Sequence, residues 1–95
     1  MTPPVLNRLI HEPARLKIMA LLYREEQVDF ISVSRRVKLT RGNLSAHMSR
    51  LEEAGYIHIA KEFVDRIPRT RLRITRAGAR AFLTYRREIL FWLED

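Results

Sequence analysis

The residues best suited to act on another molecule lie in the run LTRGNLSAHMSRLEEAGYI, from Leu39 to Ile57. Leu44, Met48 and Leu51 fall at i, i+4 and i+7, the spacing of one apolar stripe on a helix. The opposite face then carries Arg41, Gly42, Asn43, Ser45, Ala46, Ser49 and Arg50, which are small, hydrogen-bonding or cationic. Such a face can lie close to another surface and read it, and the major groove of DNA is one such surface. Arg41, near the helix start, suits a base edge or a phosphate, and Asn43 can pair with adenine or bond a phosphate. Ser45 and Ser49 are short donors for phosphate oxygens, and Arg50 is placed as a phosphate clamp. Gly42 and Ala46 leave room for a groove wall, and Thr40, the expected helix cap, is grouped with the contact residues. An ordinary solvated helix surface is a poor account of this face, because Gly inside a helix costs about 1 kcal/mol against Ala.

A second basic group surrounds Ile67-Pro68, where Arg66, Arg69 and Arg71 stand close in sequence. Asp65 to Arg69 reads as the tip of a hairpin, and a basic tip can reach the minor groove beside a helix docked in the major groove. Arg71 and Arg73 fit the outer row of the returning strand. Arg35 and Arg36 precede the two-faced helix. Either can meet a phosphate there, and a solvated role fits them equally.

The charge distribution agrees. The 95 residues carry a net charge of +7, and 15 of the 18 cations are Arg, the side chain that grips phosphate and guanine with two bonds at once. Residues 32–80 hold 12 of the 18 cations and 4 of the 11 acids, a net of +8, while the rest of the chain sums to −1. A basic block between near-neutral ends is what a polyanion-binding face produces.

Other classes of chemistry lack their residues. With no cysteine, disulfides, thiolate metal sites and thiol nucleophiles are excluded, and a reducing cytoplasm is the expected compartment. His11, His47 and His58 match no metal-ligand spacing, so no metal site is expected. His47 borders the apolar stripe and reads as a packed, hydrogen-bonded residue. No Ser-His-Asp set, glycine-rich phosphate loop or carboxylate cluster is present, and Glu52-Glu53 reads as a solvated pair at a helix end. Neither an enzyme nor a cofactor is expected. Pro3-Pro4 and the absence of a basic-then-apolar leader argue against a signal peptide. No uncharged apolar run approaches the ~18 residues of a membrane span.

The elements that must position these residues are legible as one domain over 1–95. Val5–Ile10 reads as a short helix behind the two prolines. Pro13 fits the first position of the next helix, which runs to about Tyr23 through Ala14, Ile18, Leu21 and Leu22. Val28-Asp29-Phe30 is a short extended piece. Asp29 can cap a second helix with Phe30, Val33 and Val37 inward. Lys38-Leu39 forms the turn, Thr40 caps the helix at 40–54, and Gly55 closes it in the left-handed conformation. Tyr56–Val64 is a strand with Ile57, Ile59 and Phe63 on one side. Thr70–Thr75 returns with Leu72 and Ile74 inward. Thr75 or Arg76 opens a last helix to about Leu93. The fold class is therefore mainly α with a small β-hairpin, in the order of a winged helix-turn-helix.

The last helix is too apolar for one small core. Phe82, Tyr85, Ile89 and Trp92 form one stripe, which Leu83, Leu90, Phe91 and Leu93 widen. Phe82, Tyr85, Ile89, Leu90, Trp92 and Leu93, with Leu6 and Leu9, are expected to form a homodimer interface, which would set two reading helices on two half-sites about one turn of DNA apart.

The segments IHEPARLKIMALL, VDF, NLSAHMSRLEEAGYI, DRIPRT and RLRITRAGARAF together resemble small winged-helix transcriptional regulators similar to the MarR and ArsR types. The resemblance spans about Ile10 to Phe82. It implies a dimeric DNA-binding repressor or activator with helix 40–54 in the major groove and the 65–69 wing beside it. Lys38 stands where such turns often carry Gly, and the cysteines of the metal-sensing members are missing. Double-stranded DNA is the expected partner. Two other readings stay open: a winged helix that docks on an acidic protein, and an architectural DNA binder without sequence preference. The sequence names no small-molecule effector.

Overall fold

The computed structural model describes residues 2–94. Its elements run α1 (Pro13–Glu25), β1 (Gln27–Asp29), α2 (Phe30–Val37), α3 (Arg41–Glu53), β2 (Ile57–Val64), β3 (Ile67–Ile74) and α4 (Arg76–Leu93). This is the α+β winged-helix architecture expected from the order of sequence signals.

Local chemistry starts each helix. Asp29 accepts the Ser32 N–H at 2.9 Å, Thr40 Oγ1 that of Asn43 at 3.2 Å, and Thr75 Oγ1 that of Gly78 at 2.9 Å. Each bond satisfies one donor that the first helical turn leaves without a partner. Pro13 opens α1, and the Glu12 carboxylate accepts the Arg15 N–H at 2.7 Å. The turn between α2 and α3 uses Lys38 in the left-handed region, with φ 58° and ψ 49°. Gly55 closes α3 with φ 78°.

The segment before α1 differs from expectation. Instead of a helix over Val5–Ile10, Asn7 Oδ1 accepts the N–H groups of Leu9 and Ile10 at 3.0 and 3.1 Å and holds a turn. A short polar side chain that bonds its own backbone competes with the helix in this way. Asn7 Nδ2 also donates to the Tyr56 hydroxyl at 2.9 Å, which ties the segment to the start of β2.

The sheet has three strands rather than two. β3 lies in the centre, antiparallel to β1 through Val28↔Leu72 and to β2 through Ile59↔Leu72. β2 and β3 pair out to Val64↔Ile67, so the hairpin turn is Asp65-Arg66 alone. Ile67, Pro68 and Arg69, expected in the tip, are strand residues. Both turn residues carry positive φ, 51° and 66°, as a two-residue hairpin turn requires.

Helices and sheet close over Ile18, Met19, Leu22, Val33, Leu44 and Leu72. Arg15 is the buried exception: its guanidinium donates through Nη1 to His47 Nδ1 at 3.0 Å and through Nε to the Leu9 carbonyl. The start of α4 lies against the start of β2 so closely that a Cβ on Gly78 would stand 2.0 Å from the Tyr56 carbonyl oxygen. Thr75 completes this junction, its hydroxyl donating to the Gly55 carbonyl at 2.6 Å and its N–H to that of Tyr56 at 3.0 Å.

Candidate nucleic-acid interface

The stripe and face of α3 separate as their spacing requires. Leu44, Met48 and Leu51 are buried, while Arg41, Gly42, Asn43, Ser45, Ala46, Ser49 and Arg50 are all exposed. Among the described residues, the side chains of Arg41, Asn43, Ser45, Ser49 and Arg50 form no hydrogen bond or ion pair with the rest of the chain. Thirteen residues of helix have a length of about 20 Å, enough to lie across a major groove. His47 faces inward against Arg15, as the sequence suggested. Arg has no acceptor, so the His47 ring receives this bond on Nδ1.

The wing rises beside this face. Ser45 and Ser49 share a cleft with Lys61 of β2, Thr70 of β3 and Phe30 of α2. Lys61 and Thr70 were not singled out from the sequence. The signal was present in the two-residue alternation that sets Lys61 on the same side as Ile59. A second groove of about 480 Å³ separates the start of α2 from β3 and brings Arg35 to the same lining as Arg69, with Phe30, Ile31, Ile67 and Pro68. The Asp29 carboxyl next to it is held below the ordinary carboxylate value, chiefly by the Ser32 N–H, with the Arg69 charge the smallest contribution.

Two expected contact residues are already engaged. Arg36 forms a two-pronged pair with Glu25 of α1, with one bond at 2.8 Å. This pair lowers the Glu25 pKa and raises that of Arg36, in both cases chiefly through their hydrogen bond. Arg71 Nε lies 2.8 Å from Glu62 Oε1 across the hairpin. Both guanidiniums are held in ion pairs within the chain while staying partly exposed. Arg41, Arg50, Arg66 and Arg69 remain exposed, with Thr40 at the head of α3. Glu52 is also engaged, accepting the Ile59 N–H at 3.2 Å, so it is not simply solvated.

Residues 14–90 match the family of winged helix DNA-binding domains. The chain belongs to that family. An uncharacterised protein of Methanocaldococcus jannaschii is 36% identical over 83 residues, which cover 87% of this chain and 90% of that protein. The solved transcriptional regulator homologue of Pyrococcus horikoshii OT3 superposes with a TM-score of 0.79 at 32% identity, over 94% of this chain and 91% of its own. The winged-helix fold recurs at lower identity in a MarR-family regulator of Silicibacter pomeroyi, with a TM-score of 0.70 at 17% identity over 85% of this chain and 53% of that one. This winged-helix domain therefore has the architecture that the sequence motifs implied, and its family is one of DNA-binding domains.

The expected association face is only partly available. Tyr85 is buried in the chain's own core, where its hydroxyl and His11 Nδ1 share a 2.8 Å hydrogen bond and burial raises its pKa. Leu6, Leu9, Phe82 and Ile89 are half-buried against the same core, with the Phe82 ring packed at a tilt against Tyr23. Tyr85 thus leaves the group of interface candidates, because almost none of it remains to meet a second copy. Leu90, Trp92 and Leu93 stay exposed, and Phe91 joins them with its ring edge-on to Trp92. No helix of the described residues is long and apolar enough to cross a membrane.

Proposed function

We propose that this winged-helix domain is a sequence-specific transcriptional regulator that binds duplex DNA as a homodimer. One observation carries the reading: the outer face of α3 is exposed and unpaired along its whole length, while its inner face is locked in the core. In this reading α3 enters the major groove with Arg41 and Asn43 at base edges. Thr40, Ser45, Ser49 and Arg50 hold phosphates, Gly42 and Ala46 let the groove wall close, and Arg35 meets the backbone from α2. The wing lies on the adjacent backbone and minor groove through Arg66 and Arg69. Leu90, Phe91, Trp92 and Leu93 at the end of α4 supply the apolar face for a second copy, flanked by Leu6, Leu9, Phe82 and Ile89. The solved homologue from Pyrococcus, itself called a transcriptional regulator homologue, supports the regulatory role. A DNA partner is also compatible with the cytoplasm.

Selection of bound duplexes from a random pool, followed by affinity measurements over a salt series, tests the proposal. The expected result is a shared motif with two related half-sites and an affinity that falls steeply with salt. Recovery of unrelated duplexes would leave an architectural binder. Failure to bind any duplex at ~50 mM salt would overturn the DNA reading and favour an acidic protein partner.

A further inference from the structure

The hairpin outruns the core that its alternation was expected to serve. Phe63 continues the row of Ile57 and Ile59, yet it is 75% exposed. Its cross-strand partner is Pro68, and one step further Val64 pairs with Ile67, itself 57% exposed. Four apolar side chains therefore stand at the most distal part of the wing, where a solvated hairpin would carry polar ones.

Their surroundings indicate the occupant. Phe63 lies on the face of the hairpin that carries Lys61 and Thr70, the two wing residues that share a cleft with Ser45 and Ser49 of α3. The apolar tip thus continues the surface assigned to DNA. Lys61 shares that face and Arg66 stands at the turn beside it, while Arg69 lies on the reverse face across from Glu62, an acid that Arg71 takes up. Arg66 holds φ at 66°, a left-handed position where glycine carries no steric cost and an ordinary L residue is strained by about 1–2 kcal/mol. A bare hairpin turn gains nothing from Arg there, whereas a tip that must anchor on phosphate does. Proteins that enter the minor groove commonly combine such cations with an apolar wedge that partly unstacks a base step.

We propose that the wing tip is an apolar wedge for the minor groove, with Phe63 as the side chain that enters it and Lys61 and Arg66 gripping the flanking phosphates. The assignment rests on the DNA-binding reading and adds a source of specificity to it. Pyrimidine–purine steps such as TA unstack readily, and A-tracts are stiff. The protein accordingly favours sites with a TA step under the wing, at a position that no hydrogen bond reads.

The test uses full-length protein and duplexes recovered from the random pool, with 2-aminopurine placed in turn at each position flanking a half-site. Wild-type protein is expected to raise the fluorescence at one flanking step, and replacing that TA step with AA should weaken binding. Phe63→Ala should abolish the fluorescence rise and lower affinity about tenfold, the scale of one lost apolar burial. It should leave the slope of log affinity against log salt unchanged, and Phe63→Leu should restore part of both signals. Since Phe63 is exposed, thermal melting of both variants should match wild type. Wild-type affinity in Phe63→Ala, or a loss that appears only in the salt slope, would overturn the wedge while leaving the DNA reading intact. A change of molecular mass in Phe63→Ala would also overturn it, by assigning the tip to a second copy. No binding by the wild-type protein would overturn both.

Discussion

Arg15 of α1 and His47 of α3 are joined by a 3.0 Å hydrogen bond on the inner side of the helix whose outer side is fully exposed. The same guanidinium holds the Leu9 carbonyl, so one buried cation links the N-terminal turn, α1 and α3. Arg15→Ala leaves two acceptors without a donor and should destabilise the protein by about 2 kcal/mol in urea unfolding. At a temperature where the variant remains folded, its salt slope for DNA should equal that of the wild type. A reduced slope would mean that Arg15 contributes to the phosphate contacts.

Gly78 is fixed by space rather than by backbone angle. A Cβ there meets the Tyr56 backbone, which no side-chain rotation can relieve. Although Ala is the better helix former, Gly78→Ala should destabilise by about 1–3 kcal/mol through overpacking. A rise in melting temperature would show that α4 can move off β2 without loss. Gly42, with nothing within 4 Å of its missing Cβ, is the matched control. Gly42→Ala should raise stability by about 1 kcal/mol.

Asp29 makes part of the stability depend on pH. Its carboxyl is held below the ordinary value, mainly by the Ser32 N–H that caps α2. A lowered folded pKa stabilises the protein fully above the unfolded pKa, and this contribution is lost as pH falls through the folded value. Asp29→Ala should therefore cost about 1 kcal/mol near neutrality, and less as the solution is acidified below the usual carboxylate range. Asp29→Asn keeps an acceptor and should retain most of the neutral-pH stability with a shallower acid dependence. Parallel pH dependences for Asp29→Asn and wild type would refute the linkage.

Exposed arginines should divide by their existing partners. Arg36 is paired with Glu25, so Arg36→Ala should leave the salt dependence of DNA binding near its wild-type slope. Arg41→Ala should weaken selected sites by about 1–3 kcal/mol more than random DNA. Equal losses on both would make Arg41 a phosphate anchor. A slope lowered by Arg36→Ala would show that the Glu25 pair opens on DNA.

Association should depend on the end of α4. Trp92 is 54% exposed and makes one hydrogen bond, from Nε1 to the Pro4 carbonyl at 3.2 Å. Trp92→Glu should convert a dimer to a monomer by light scattering without unfolding the domain. Tyr85→Phe, which removes only an internal hydrogen bond, should leave the mass unchanged. A monomeric wild-type protein, or a Trp92→Glu variant of unaltered mass, would remove this face from the interface.

Much of this geometry was legible in the chain. Asp29, Thr40 and Thr75 announced their helices because short side-chain oxygens cap the first turn through local contacts alone. The two faces of α3 followed from helical spacing. Legibility failed where contacts at a distance decide. Alternation placed Phe63 with Ile57 and Ile59 correctly, but it could not say that the core ends before Phe63. The Arg36–Glu25 and Arg71–Glu62 pairs depend on helix packing and strand register, so charge counting could not foresee them. Asn7 carried a local signal for its turn that the apolar residues around it obscured.

The junction of Gly55, Tyr56, Thr75 and Gly78 behaves as a fulcrum. Close contacts there lock the end of α3 to the root of α4. Eighteen residues of α4 form a lever of about 27 Å, so one degree of tilt at its root moves its far end by about 0.5 Å. In a dimer joined at those far ends, the distance between the two reading heads is set by this rigid pivot. In such a dimer, tolerance for half-site spacing would be a mechanical property of the Gly78 junction.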